Sequence, residues 1–282
     1  MIIEANIKDS NYPLLLKNTP KAPQKIFIKG KITEGIFDNC IGMVGSRNIS
    51  LYGKRVIRHL ISGMSDKITI VSGFMYGVDA FSHIEALKNG LRTIAVMPCG
   101  IDYIHPEDQK DLYENILDKE GLVISEYEKD FKPQLWTYPR RNRIVAGLCK
   151  CIIVVEAGAG SGSIITANYA HAFGRSIYCV PASIFSDNFK GIYQILNSYA
   201  KPLISSSQIN QDMGLDFMGE IQLNRNVPRN HNNLLDLLRD EPLSVDEISR
   251  QIKLPTSDIN SELAMLSLSG LIMEEAGRWY AC

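Results

Sequence analysis

Residues 151–167 read Cys-Ile-Ile-Val-Val-Glu-Ala-Gly-Ala-Gly-Ser-Gly-Ser-Ile-Ile-Thr-Ala. An apolar run of strand length enters a Gly/Ser loop, and the loop opens an Ala- and Thr-rich segment of helical character that continues to Phe173. The same alternation recurs outward from this stretch. Apolar runs lie at 40–44, 68–71, 93–97, 122–124, 151–155 and 176–180. Between them, Ile57, Leu60, Ile61 and Met64 follow the i, i+3, i+4, i+7 spacing of a one-sided helix, and Val78, Phe81, Ile84 and Lys88 mark another. Strands that are apolar throughout are buried on both faces, and intervening helices supply the cover. The pattern predicts an α/β fold with a doubly wound, mostly parallel sheet. Ligands of such sheets bind beyond the carboxyl ends of the strands. The segments Gly45-Ser46-Arg47, Ser72-Gly73, Pro98-Cys99-Gly100, Ser125-Glu126 and 156–163 all follow strands in this reading and should gather on one rim.

Residues 1–38 read as an extended lead-in, since Pro13, Pro20 and Pro23 argue against long helices; Ile26-Phe27-Ile28 reads as a short edge strand. The sheet domain is expected over 39–205, and the Ser/Gln/Asn/Asp-rich stretch 206–230 reads as a linker. Residues 231–282 have a winged-helix outline. Leu234, Leu235, Leu237 and Leu238 mark one helix, and the capping box Ser244-Val-Asp-Glu247 opens a second. Ser257 is expected to cap a third that ends at Gly270, with 271–274 and 278–280 forming a two-stranded wing.

The chain has 282 residues, 45% of them apolar, enough for one sizeable core and a small second domain. Its net charge of −1 offers no global cationic field, so any nucleic-acid binding must come from a local patch. The charge is unevenly divided. Residues 231–282 hold four Lys/Arg against nine Asp/Glu, a net of −5, which leaves 26 against 22, a net of +4, for the first 230. The six cysteines are scattered without metal-ligand spacing. No apolar run approaches the ~18 residues of a membrane span and the N-terminus lacks a signal-like h-region, so the cytoplasm is the expected location.

Two segments carry anion-binding chemistry. In the 160–163 loop, glycine lets backbone amides approach a phosphate, and the following helix presents unpaired N–H groups and the positive end of its dipole. Ser161, Ser163 and Thr166 add hydroxyls. The bland alternative is a tight strand–helix turn that binds nothing. The string is neither a Walker A sequence nor a dinucleotide fingerprint. In Pro139-Arg140-Arg141-Asn142-Arg143, guanidinium forks suit phosphate oxygens, and Phe131, Trp136 and Tyr138 could stack on unpaired bases. The alternative is a solvated helix start with salt bridges to Glu126, Glu128 or Asp130; not all three arginines can face one ligand. Arg47 is placed for a ligand on the rim; the alternative is a helix cap with an incidental arginine. Asp79 and His83 are i, i+4 neighbours, read as structural because no third ligand accompanies them. No nucleophile–base set, metal cluster or carboxylate pair stands out, so neither cofactor nor metal is expected.

Taken in order, these segments resemble the DNA-processing protein A (DprA/Smf) family. The residues that carry the resemblance are Tyr12-Pro13, Val44-Gly45-Ser46-Arg47, Ser72-Gly73 with Gly77-Val78-Asp79 and His83, Pro98-Cys99-Gly100-Ile101-Asp102 with His105-Pro106, Ile124-Ser125-Glu126, Pro139 to Gly147, Val155-Glu156-Ala157 with Ser161-Gly162-Ser163 and Thr166-Ala167, Gly174-Arg175 and Val180-Pro181. The resemblance spans roughly residues 12–205, and the C-terminal outline is similar to the family's winged-helix appendage. The chain departs from the family pattern at Ala182, Tyr193 and Tyr199, and only 38 residues precede the sheet.

The resemblance implies an extended Rossmann-like domain that binds single-stranded DNA, dimerises, and helps load a RecA-type recombinase during natural transformation, without catalysis. The DNA site it implies, together with the rim, comprises Gly45, Ser46, Arg47, Ser72, Gly73, Arg140, Arg141, Asn142, Arg143, Gly160, Ser161, Gly162, Ser163 and Thr166. Neutralising three phosphates would give a salt slope of about −2. The acidic C-terminal module, whose third helix lacks Lys and Arg, is expected to contact protein rather than duplex DNA. A competing class is a nucleoside-monophosphate hydrolase in which Glu156 or Glu126 is the catalytic carboxylate beside the Gly/Ser loop.

Overall fold

The computed structural model describes residues 2–215, 234, 235, 237, 238 and 241–281. The chain divides into two compact units, Met1–Met218 and Gly219–Cys282. In the first, β1 (Ile2–Asn6), α1 (Leu14–Lys17) and β2 (Lys25–Lys29) precede β3 (Cys40–Val44), α2 (Leu51–Ser62), β4 (Thr69–Ser72), α3 (Val78–Lys88), β5 (Arg92–Gly100), α4 (Lys110–Asp118) and β6 (Leu122–Tyr127). Then follow α5 (Thr137–Leu148), β7 (Cys151–Val154), α6 (Gly162–Ala172), β8 (Ser176–Cys179), α7 (Lys190–Leu196), β9 (Lys201–Pro202) and α8 (Ser206–Asp212). The nine strands form one sheet in the order β1-β2-β6-β5-β4-β3-β7-β8-β9. The seven from β6 to β9 run parallel, and β1 and β2 add an antiparallel margin.

Alternation along each strand explains why these runs are apolar throughout. On β7, Ile152 and Val154 face a core shared with Ile144 and Val145 of α5 and Ala167 and Ala170 of α6. Cys151 and Ile153 face the opposite core, with Ile57, Leu60 and Ile61 of α2 and Val78 and Ala86 of α3. Both faces are covered, as a doubly wound sheet requires. From β3 the chain proceeds outward through β4, β5 and β6, then returns to the other side of β3 as β7 and continues to β8 and β9. The order reverses between β3 and β7, the place where such sheets open a crevice for ligands.

Four expectations need correction. The first 38 residues are not a separate lead-in: β1 and β2 extend the sheet, and α1 seats Leu16 in the core against α5. Ile26-Phe27-Ile28 lies on β2, an inner strand, because β1 covers its outer side. The 206–230 stretch opens with α8, which buries Ile209; Asn210 accepts from the Ser65 amide (3.3 Å) and donates to the Gly63 carbonyl (3.0 Å). Residues 216–230 lie outside the described residues. Finally, Pro98-Cys99-Gly100 and Ser125-Glu126 lie within β5 and β6 rather than beyond them.

In the second unit, Leu234, Leu235, Leu237 and Leu238 are helical, followed by helices Val245–Ile252 and Thr256–Leu268 and the hairpin Ile272–Glu275 with Arg278–Ala281. The Ser244–Glu247 capping box forms as expected. The third helix starts at Thr256 behind Pro255, and Ser257 does not cap it. Leu238, Leu243, Ile248, Ile259, Leu263 and Ile272 share its core.

Candidate anion-binding hollow at the strand crossover

A hollow of about 430 Å³ opens where the strand order reverses. The ends of β3, β4 and β7 and the start of α5 supply its lining. Of the fourteen candidates, it gathers Gly45, Ser46, Arg47, Gly73, Arg141, Asn142, Gly160, Ser161, Gly162, Ser163 and Thr166. Ser72, Arg140 and Arg143 stand outside its lining.

The loop after β7 turns at Gly160, whose φ of +75° lies in the left-handed region that side chains disfavour. Ser161 then caps α6: its side chain accepts from the Ser163 amide, and the two hydroxyls lie 2.8 Å apart. The Ser161 amide donates to the Gly158 carbonyl (3.2 Å) and that of Ile164 to the Ser161 carbonyl (3.1 Å). The Gly160 and Gly162 amides have no acceptor among the described residues, and a Cβ at either position would meet no atom within 4 Å. Two N–H groups without an acceptor, beside the positive end of a helix and in the lining of the hollow, can take an anionic oxygen. Asn142 fixes the loop from α5 through its Nδ2 to the Gly162 carbonyl (3.1 Å).

Across the hollow, Ser46 turns the chain after β3. Its hydroxyl donates to the Asn48 carbonyl (3.0 Å), and its own carbonyl accepts from the Val78 amide (3.0 Å). The next residue, Arg47, is exposed and makes no salt bridge among the described residues. Its guanidinium lies 5.4 Å from the Tyr138 ring centroid. Tyr138 is held in turn by His105, Nε2 to hydroxyl 2.8 Å. Burial, then the Arg47 cation, lowers the His105 pKa, which favours a neutral ring at that contact.

The three arginines of α5 take three different roles. Arg141 is 3% exposed and lies beneath the hollow, its Nη1 donating to the carbonyls of Gly73 and Val96. Burial lowers its pKa while buried Asp79 opposes that shift; burial likewise raises Asp79 and Arg141 opposes it. A Cβ on Gly73 would stand 2.5 Å from Arg141 Nη2 and 2.6 Å from Asp79 Oδ2, so glycine is needed there for space. Arg143 contradicts the expectation of a DNA contact. It is buried, both Glu126 oxygens accept from its Nη2 at 2.6 Å, and its Nη1 donates to the Lys21 carbonyl. Arg140 shares Glu126 at 3.1 Å and lies 5.8 Å from the centroid of Trp136, away from the hollow. Ser72 is also corrected: fully buried, it donates to the Met43 carbonyl (2.6 Å) and ties β4 to β3.

The two carboxylates weighed for hydrolysis are both engaged and stand outside the hollow's lining. Glu156 accepts from the Ser50 amide (3.0 Å), the Ser50 hydroxyl and Asn188 Nδ2 (3.2 Å), fixing the start of α2. Glu126 holds two arginines. His83 is buried, with Nδ1 2.6 Å from Thr93 Oγ1 and its pKa pushed by burial to about 3. No cluster of metal-ligating side chains occurs among the described residues. Tyr76 and Asn188 line the hollow without having been singled out by sequence. Tyr76 follows a strand end, a signal that the rim reading carried; Asn188 arrives from a short 3₁₀ turn after β8 that no motif marks.

The sequence profile of the family described as DNA recombination-mediator protein A matches residues 4–214, and that of the DprA winged helix domain matches 222–278. Protein Smf of Synechocystis is 30% identical over 312 aligned residues, covering 96% of this chain and 78% of its own length. The DNA processing protein DprA of Bacillus subtilis is 36% identical, covering 73% and 70%. Among solved structures, DNA processing protein A of Streptococcus pneumoniae aligns with a TM-score of 0.70 at 33% identity, covering 78% of this chain and 75% of that one. That of Helicobacter pylori, solved for its single-stranded DNA binding mode, aligns at 0.67 and 25% identity, covering 77% and 97%.

Proposed function

Because the chain belongs to the DNA recombination-mediator protein A family, we propose that the hollow binds single-stranded DNA. The observation that carries this reading is the pairing, across one hollow, of two unpaired amides on Gly160 and Gly162 with the exposed guanidinium of Arg47, which makes no salt bridge among the described residues. Successive phosphates occupy the two walls, Arg141 adds charge from below, and Tyr138 offers a ring face to a base. Contacts of this kind read backbone rather than sequence. A duplex fits worse, because a stiff rod presents neither splayed phosphates nor free base faces to a crevice this small.

The finer roles belong to the same proposal. Bound strand is protected and passed to a RecA-type recombinase, and the sheet unit forms a homodimer. Exposed Ile184, Phe185, Tyr193 and Ile204 on that unit support contact with protein. The winged-helix unit contacts protein: helix Thr256–Leu268 has no Lys or Arg and exposes Met265 and Leu268. Fluorescence anisotropy with a labelled oligothymidylate and a matched duplex tests the binding claim. Preference for the single strand is expected, without release of free base from nucleoside monophosphates. Equal affinity for both, or turnover, contradicts it.

A further inference from the structure

On the outer side of α6 a second groove of about 310 Å³ runs between that helix and the turn after α1. Ile165, Tyr169 and Phe173 line one wall and Pro20 and Lys21 the other, and Ile165 also lines the hollow, so the two spaces adjoin at one exposed side chain. Tyr169 and Phe173 are half-buried, with ring centroids 5.9 Å apart and planes inclined by 28°. The ammonium of Lys21 lies 5.5 Å from the Tyr169 centroid. The Lys21 backbone is fixed, because its carbonyl accepts from buried Arg143.

We propose that this groove is a stacking subsite for the stretch of unpaired strand that leaves the hollow along α6. Two aromatic faces with a cation beside them match a nucleotide, whose base stacks while its phosphate meets the ammonium. A purely apolar occupant fits less well. The lining holds one cation and no carboxylate, so an apolar segment of another protein would cover Lys21 without compensating it, whereas a phosphate supplies the missing charge. In this arrangement Arg143 acts as a positioning residue, holding the lysine at the groove while touching no DNA.

The subsite rests on the proposed function, and oligonucleotide length separates the two. Full-length protein is titrated with oligothymidylates of about 4 and about 12 nucleotides. Tyr169→Leu retains apolar bulk against the core but loses the ring. It is expected to lower affinity for the longer oligonucleotide fivefold or more and leave the shorter one unchanged, while Tyr169→Phe behaves as wild type. Lys21→Ala should reduce the salt slope for the longer oligonucleotide by about 0.7. Wild-type protein that binds neither length overturns both readings. Wild-type protein that binds both, with Tyr169→Leu indistinguishable from it, overturns the subsite alone, as does a variant whose only change is in self-association by sedimentation.

Discussion

Arg47 and Arg143 carry the same guanidinium and meet opposite surroundings. Sequence placed Arg47 at a strand end and Arg143 at a helix start, but only the fold decides that Glu126 captures Arg143 while Arg47 makes no salt bridge among the described residues. Arg47→Ala is therefore expected to weaken single-strand binding about tenfold, at unchanged stability, since it removes an exposed charge-assisted contact. Arg143→Ala should instead destabilise the protein by about 1–3 kcal/mol in denaturant titration, because half-buried Glu126 keeps only Arg140 and the Lys21 carbonyl loses its donor. His83 sets a pH dependence. Its folded pKa of about 3 lies below the ordinary 6.5, so the unfolded chain binds the extra proton. The neutral ring's contribution is complete above 6.5 and is lost as pH falls below it, by up to about 2 kcal/mol at pH 5. Buried Asp79, raised by desolvation, has the opposite sign, losing stability as pH rises above the ordinary carboxylate value. Comparing wild type with His83→Gln between pH 5 and 7 isolates the histidine: the variant's stability should vary less with pH.

At the level of elements, the strand–loop–helix unit from β7 to α6 was legible because each part has a local cause. β7 is apolar on both faces, Gly160 needs positive φ, and Ser161 caps the helix. Of the β1–β2 margin, Ile26–Ile28 was legible as a strand, but β1 and the inner position of β2 were not. Its residues alternate weakly around prolines, and what makes them strands is pairing with β6, some hundred residues away in the chain. The role of Asn188 was hidden for the same reason. The unpaired amides can be tested without disturbing the turn. At Gly162 a Cβ meets nothing within 4 Å and φ is ordinary, so Gly162→Val is tolerated structurally while it adds bulk to the lining of the hollow beside an unpaired amide. Thermal stability should change little, and single-strand affinity should fall about tenfold. Gly160→Ala should cost about 1–2 kcal/mol of stability from its left-handed backbone.

Across the whole molecule, charge separates the two units: residues 1–218 carry +3 and residues 219–282 carry −4. Phosphate is attracted to the first and repelled by the second. A chain ending at residue 218 is accordingly expected to keep single-strand affinity within about twofold, since the hollow and both flanking helices lie inside the first unit. With Arg140 and Arg143 turned to Glu126, the guanidinium groups at the hollow number two rather than three, and the expected single-strand salt slope for a short oligonucleotide becomes about −1.4. The most direct measurement is the affinity of wild type and Arg47→Ala for a short single strand and its duplex at two salt concentrations. Tighter binding of the single strand with a slope near −1.4, falling to about −0.7 in Arg47→Ala, is the expected result. Equal binding of both forms, or a slope and affinity indifferent to Arg47, would contradict the assignment of the hollow to unpaired DNA.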